Sequence, residues 1–261
     1  MEGAPDYGMA QLGPIVSEQV IDLNTAGVDS ILELSRLVEL ESPQIHLESP
    51  HIHEEGLLGA SWWQLAAKRV IDIVGSLVLI CLLLPVFLMV SLAIAFTSLG
   101  PVLYRQQRVG RDGRPFTMWK FRSMYDRAHE ERELHSEANE CSGPVFKIRN
   151  DPRMTPVGRV IRRLSIDELP QFFNVIAGTM TLVGPRPPLP EECVHYGDRE
   201  MARLLVKPGI TCSWQVSGRS DVDFDTWVDL DLEYIRTWTL RQDIALLVKT
   251  VPAVITGRGA Y

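Results

Sequence analysis

The run Leu164-Ser165-Ile166-Asp167-Glu168-Leu169-Pro170-Gln171 sets two adjacent carboxylates just after Arg159, Arg162 and Arg163, and just before a stretch with helical apolar spacing. A few residues on, Val183-Gly184-Pro185-Arg186-Pro187-Pro188 places one arginine among prolines. A carboxylate can displace a phosphoryl group and form an acyl phosphate. It can do so only if the negative charge of the target is first neutralised. Magnesium or manganese, shared between a carboxylate and diphosphate oxygens, would meet part of that need. Arginines would meet the rest through charge-assisted hydrogen bonds. Asp167 and Glu168 are candidates for nucleophile, base and metal ligands. Lys120, Arg122, Arg162, Arg186 and Arg219 are the candidates for binding an anionic substrate. The prolines beside Arg186 fix its backbone, so it would lose little entropy on binding.

A simpler reading stands beside this one. Ser165 and Glu168 have the spacing of a capping box, with Glu168 bonding back to the Ser165 amide. Asp167 would then be an ordinary first-turn acid favoured by the helix dipole, and Pro170 suits a helix start. The arginine of the proline cluster could equally be a solvated residue on a rigid turn. A Walker loop, a GxGxxG turn after a strand and a GxSxG elbow are all missing from the sequence. That argues against NTPase, dinucleotide-enzyme and serine-hydrolase chemistry.

The elements that must position these residues follow from patterning. Residues 1–60 carry eleven carboxylates against Arg36 alone, so the rest of the chain is mildly basic although the total charge is −7. This acidic segment reads as a disordered or regulatory tail, with one amphipathic helix possible around Ile31, Leu34 and Val38. It lacks the apolar core of a secretory signal. His46, His51 and His53 fall within it and read as solvated. Trp62 and Trp63 suit a membrane interface, followed by Lys68 and Arg69. Ile73 to Phe96 is then uncharged, long enough to cross a bilayer. Pro85 sits mid-way and removes a backbone hydrogen bond. Bases flank both ends, with Arg105, Arg108 and Arg111 on the far side, and the positive-inside tendency puts both flanks on one face. Spanning and re-entrant arrangements are both open at this point.

Beyond residue 100 the sequence reads as a compact α+β region. Short strands are expected at 101–104 and 116–121 around a Gly110–Gly113 turn. An exposed charged helix is expected over 123–140, and further helices over 157–164 and 169–177, the last closed by Gly178. Trp227, Leu230, Tyr234 and Trp238 recur at helical spacing, which suits either a core stripe or a helix lying on a membrane surface. Four scattered cysteines without a CxxC pair point to reduced thiols.

The stretches KRVIDIVGS, LLLPVF, GPVLYRQQRVGRDGRPFTMWKFRSM, IRRLSIDELPQFFNVIAGTMTLVGPRPPLP, KPGIT, WQVSGRS and the ending GRGAY occur in that order over roughly the last two hundred residues. Over these the chain resembles the bacterial sugar transferases, the monotopic polyprenyl-phosphate hexose-1-phosphate transferases that initiate exopolysaccharide or O-antigen assembly. The resemblance implies a membrane-associated, mostly α or α+β fold. It would have an interfacial and re-entrant helix over 61–100, broken at Pro85, and a cytosolic catalytic domain over 101–261 with amphipathic interfacial helices. Larger members carry transmembrane helices ahead of this domain, so the resemblance implies a minimal catalytic form with an unusual tail. It further implies a UDP-hexose donor, undecaprenyl phosphate as acceptor and magnesium as cofactor. Asp167 would attack the sugar-proximal phosphate, UMP would leave, and Glu168 would bind metal or act as base. The expected place is the cytoplasmic face of a bacterial inner membrane, with no nucleic-acid partner and room for a homo-oligomer. An N-acetylated amino-sugar donor, or an adaptor without turnover, are the competing expectations.

Overall fold

The computed structural model describes residues 56–125, 128, 139–140, 143–146, 148, 150–217 and 222–256. The acidic tail to residue 55, most of the charged segment 123–140, and Arg219 lie outside the described residues.

The first element, α1 (Trp62–Thr97), is a single 36-residue helix, about 54 Å long at 1.5 Å per residue. It starts where Gln64 Oε1 accepts from the Ser61 amide at 2.9 Å. Its opening turns are anchored by polar residues on one face. Lys68, Asp72 and Ser76 recur every four residues and are all buried. Lys68 Nζ donates to Asp243 Oδ2 at 2.7 Å and to the Val183 carbonyl at 2.9 Å. Asp72 accepts from the Thr181 hydroxyl (2.7 Å) and the Leu182 amide (2.9 Å). Arg69 donates to the Val175 and Ile176 carbonyls (2.6 and 2.8 Å), capping another helix end. The two bases that read as a membrane flank are thus engaged inside the protein.

Helix α1 runs through Pro85 without interruption. The expected end of the helix at Pro85 is therefore not seen, and a proline can bend a helix without ending it. The proline removes one ladder bond, to the Cys81 carbonyl, but the helix continues because its far half is held by packing. Val86, Phe87, Val90 and Ile94 pack with Phe121, Ile161, Ile166 and Leu169. Phe87 also meets the Phe121 and Phe173 rings at 5.5 and 6.1 Å. Both ends of α1 therefore rest on the same body. Its outer face, including Val74, Val78, Leu82, Leu88, Leu92 and Phe96, is exposed and apolar. By length and composition it is long and apolar enough to cross a membrane.

The body begins with an antiparallel hairpin, β1 (Leu103–Val109) and β2 (Pro115–Phe121), in register from Leu103↔Phe121 to Val109↔Pro115. The turn at Gly110–Gly113 falls where expected. Next come α2 (Pro156–Arg163), a 3₁₀ turn (Ile166–Glu168) and α3 (Gln171–Ala177), which ends at left-handed Gly178. A short parallel pair joins β3 (Thr181–Val183) to β4 (Gly209–Thr211). There the chain at Gly184 and Gly209 comes so close that a Cβ on Gly209 would lie 2.1 Å from the Gly184 nitrogen. The segments around Arg186 and Gly209 are thus one structural unit. Between the strands lie the short helices α4 (Pro190–Cys193) and α5 (Asp198–Met201). After β4 come α6 (Ser213–Val216), α7 (Phe224–Thr237) and α8 (Leu240–Thr256).

The main core gathers Met118, Phe172, Val175, Met180, Leu182, Val228, Leu232 and Ile235 from the hairpin, α3, β3 and α7. Trp227, Tyr234 and Trp238 are buried as well. Their helical stripe is core, so the membrane-surface alternative for it is overturned. The exposed apolar stripe of the C-terminal region lies instead on α8, at Ile244, Val248, Val251 and Ile255. Cys193 and Cys212 are buried free thiols and Cys81 an exposed one.

Candidate active site

Asp167 is placed by three local devices. First, Thr155 Oγ1 accepts from the Gly158 amide at 2.9 Å and caps α2. Gly158 sits against the Ser123 carbonyl so tightly that a Cβ would come within 1.8 Å. The start of α2 is thereby docked on the exit of β2. Second, Ser165 adopts φ 54°, ψ 21°, in the left-handed region, which costs a non-glycine residue roughly 1–2 kcal/mol. That residue turns the chain so that Asp167 points inward while Ile166 and Leu169 pack beside α1. Third, Asn174 of α3 joins the edge of β2 like a strand residue. Its Oδ1 accepts from the Trp119 amide (3.0 Å), and its Nδ2 donates to the Thr117 carbonyl (2.7 Å).

The capping box does not form. The Ser165 amide donates to the Arg162 carbonyl at 2.9 Å, and Glu168 Oε1 accepts from Lys120 Nζ at 2.8 Å. The carboxylate is drawn across to the strand, where a cation compensates it better than one amide would.

Asp167 is 5% exposed. Burial, opposed by Lys120 but reinforced by the Glu168 charge, pushes its carboxyl up to about 6. Burial acts upward on Glu168 too, yet Lys120, Arg162 and Arg186 hold it below the usual carboxylate range. Two neighbouring carboxylates thus differ in proton affinity. Glu168 is fixed as an anion, and Asp167 keeps an ionisable group close to neutral pH with no side-chain donor attached to it among the described residues. Val160, Leu164 and Phe173, in or at the end of the helices on either side of this turn, are exposed, and Phe173 meets Phe87 of α1.

The other candidates divide. Lys120 and Arg162 act directly on the carboxylate pair. Arg186 influences Glu168, but its guanidinium is held by Glu192 at 3.0 and 3.2 Å and lies over the Trp227 ring at 5.3 Å. Although burial disfavours its charge, Glu192 keeps Arg186 above its ordinary value. The arginine expected to be presented by its prolines thus has a fully buried carboxylate in its fork. Arg122 turns away from Asp167 to Ser98 at the end of α1 (2.8 Å).

Sequence reasoning missed several members. Arg108 is buried, donates to the Pro187 carbonyl at 2.9 Å and to Gln106 at 2.8 Å, and is lowered to about 9 by burial and by Arg186. Glu192, Arg203 and Asp231 complete the cluster under Arg186, with Arg203 and Asp231 paired at 2.8 Å. Asn174 left no signal beyond its place in an apolar helix.

Residues 63–257 match the family model described as bacterial sugar transferase. The chain belongs to the bacterial sugar transferase family. This sugar transferase is 44% identical over 199 residues to the galactosyl transferase CpsE of Streptococcus agalactiae, covering 75% of this chain and 44% of CpsE. It is 40% identical over 199 residues to the exopolysaccharide production protein ExoY of Rhizobium meliloti, covering 75% of this chain and 88% of ExoY. To the undecaprenyl-phosphate galactose phosphotransferase of Salmonella typhimurium it is 46% identical over 198 residues, 74% of this chain and 41% of that protein. The matched part of the sugar transferase thus spans less than half of two of these relatives and most of ExoY. It contains α1, the carboxylate pair and the Arg186 cluster together.

Proposed function

We propose that the chain transfers a hexose 1-phosphate from a UDP-sugar to undecaprenyl phosphate, the first membrane step of polysaccharide assembly. The observation that supports this most directly is the placement of Asp167. It is a buried carboxylate without a side-chain donor among the described residues, beside two cations, on a turn packed against an exposed apolar helix. The names of the relatives, a galactose phosphotransferase acting on undecaprenyl phosphate among them, point the same way.

In this mechanism an Asp167 oxygen attacks the sugar-proximal phosphorus. The bond from that phosphorus to the bridging oxygen breaks, and UMP leaves with the electron pair. The lipid phosphate oxygen then attacks the same phosphorus, the bond to Asp167 breaks, and the carboxylate is regenerated. Lys120 and Arg162 offset charge on the transferred phosphoryl group. Glu168 holds Lys120 in place, so that the cation points at the reacting centre. Asp167 and Glu168 fit a divalent cation of the magnesium type, which takes one or two carboxylates plus substrate phosphates. No cluster of three protein ligands exists among the described residues, so such an ion would rely on the diphosphate. Bound there, it would neutralise diphosphate charge.

We also propose that α1 bends at Pro85 and so enters and leaves the same cytoplasmic leaflet of a bacterial inner membrane, because both its ends rest on one body. Its exposed face then lies in lipid and brings the lipid phosphate to the depth of Asp167. The deciding experiment is transfer of radiolabelled sugar phosphate from UDP-glucose or UDP-galactose to polyprenyl phosphate by the purified full chain in nanodiscs. Parallel initial-rate lines and UMP release without acceptor are expected. Intersecting lines with no UMP release in the first half-reaction would remove the covalent step. Labelling of a cysteine at Ser49 by an impermeant reagent on intact cells would show that α1 spans.

A further inference from the structure

Arg122 ends the strand that holds Lys120, and its surroundings differ from those of the other cations. It is 6% exposed. Its Nη2 donates to the carbonyl and hydroxyl of Ser98, both at 2.8 Å. Its Nε and Nη1 are shut off from solvent and have no acceptor. A guanidinium has five N–H donors, so Ser98 takes two and three remain. No carboxylate among the described residues pairs with it. A buried cation without a counter-charge is strongly unfavourable.

The location indicates which anion is missing a place. Ser98 caps the far end of α1, next to Phe96 (84% exposed) and Leu99 (93% exposed). Phe121, adjacent to Arg122, packs with Val90 and Ile94 of α1 and with Ile166 and Leu169, which flank the carboxylate pair. Arg122 lies two residues beyond Lys120, and its side chain reaches the end of α1 where that of Lys120 reaches Glu168. Lys120 itself touches Glu168. The site thus has a cation at the reacting carboxylates and a second, unsatisfied one at the mouth of the apolar helix.

Resting on the transfer reaction proposed above, we infer that Arg122, held in place by Ser98, binds a lipid-borne phosphate at the end of α1, presenting it to the Asp167 turn. Nε and Nη1 donate to the phosphate oxygens, and the hydrocarbon follows the exposed face of α1. Both nitrogens are covered in this conformation, so the phosphate enters by displacing the link 98–102. That link is tied to Arg122 at Ser98 and at the Val102 carbonyl, which accepts the Arg122 amide at 2.9 Å.

The test uses the full chain in phosphatidylcholine nanodiscs, with UDP-hexose and a short-chain polyprenyl phosphate. R122Q should raise KM for polyprenyl phosphate at least about tenfold. UMP release without acceptor, and KM for UDP-hexose, should stay within about twofold. R122K keeps the charge without the fork and should fall between. Melting of R122K and R122Q guards against a folding defect. A second series adds phosphatidylglycerol. If R122Q instead abolishes stimulation by that lipid at unchanged acceptor KM, the bound phosphate is a bulk headgroup, which supports the lipid-phosphate site from the other source. The inference is overturned if R122Q leaves both readouts unchanged, or if donor and acceptor parameters fall together with the melting temperature. Failure of the wild type to transfer label would count against the proposed reaction alone. The shift in melting caused by polyprenyl phosphate, lost in R122Q if the inference holds, would then decide this one.

Discussion

Around Arg186 the charges are closed upon one another, whereas around Asp167 they are left open. Glu192 accepts from both Arg186 nitrogens and from the Leu189 amide, and Arg203 pairs with Asp231. Arg108 spends its donors on Pro187 and Gln106. Among the described residues the carboxylate pair has a single ion pair, Lys120 with Glu168, Asp167 has no side-chain donor, and Arg162 makes no ion pair. Both regions bury carboxylates beside arginines, so composition does not separate them. Pairing does: carboxylates gripped by arginines, as Glu192 and Asp231 are even though Asp231 Oδ1 has no partner of its own, fix geometry, while a carboxylate without a side-chain donor retains the capacity to bind and react.

The sharpest way to break this contrast is Asp167→Asn. Transfer should fall by at least about 10³-fold, while the melting temperature rises by a few degrees, since a buried charge without a side-chain donor is removed. An Asn variant that turns over normally would end the distinction. Arg186→Ala should do the reverse. It leaves Glu192 buried and unpaired, a loss of about 3–5 kcal/mol in stability, read as a lower denaturation midpoint, with activity lost through unfolding. If the Ala variant melts like wild type but has lost UDP-sugar binding, the Arg186 cluster is a substrate site instead. Glu168→Gln should cut turnover by about 10²-fold. Its cost in stability should be under about 1 kcal/mol, because the Lys120 pair is partly exposed. The smallest effect is on pH. The Asp167 carboxyl is raised from 3.8 to about 6, so the folded state holds its proton more tightly than the unfolded one. Its destabilising contribution is absent below 3.8, grows between the two values and is complete above about 6. Transfer should drop about tenfold per unit below 6 in wild type, and a flat acid limb would show that Asp167 is not the group that must ionise.

How legible each region was in the sequence follows from the range of its contacts. The hairpin turn at Gly110–Gly113, the start of α2 and the Gly178 stop rest on local signals, and all three occur. The Asp167–Glu168 pair with Lys120 and Arg162 could also be picked out, although Lys120 is 48 residues from Glu168, because unlike charges with no other use tend to meet. The grip of Glu192 on Arg186 could not be foreseen from the sequence. Glu192 sits only six residues away, but nothing in its type distinguishes a buried partner from a surface acid. Asn174 was invisible for the same reason: its hydrogen bonds go to backbone 55 and 57 residues distant. The stripe with Trp227 and Trp238 was ambiguous because large aromatics suit a core and a bilayer interface equally, and only packing decides between them.

The Lys68–Asp243 pair has a consequence for the order in which the protein is made. The two residues lie 175 positions apart. At about 5–20 residues per second, Asp243 emerges roughly 10–35 s after Lys68. Throughout that interval the ribosome-bound chain exposes an apolar helix whose first turns still lack the counter-charge of Asp243. Final seating of α1 is therefore a late event of synthesis, after translation has passed Asp243. A chain truncated before Asp243 should leave Lys68 open to amine-reactive reagents, whereas the complete chain should protect it.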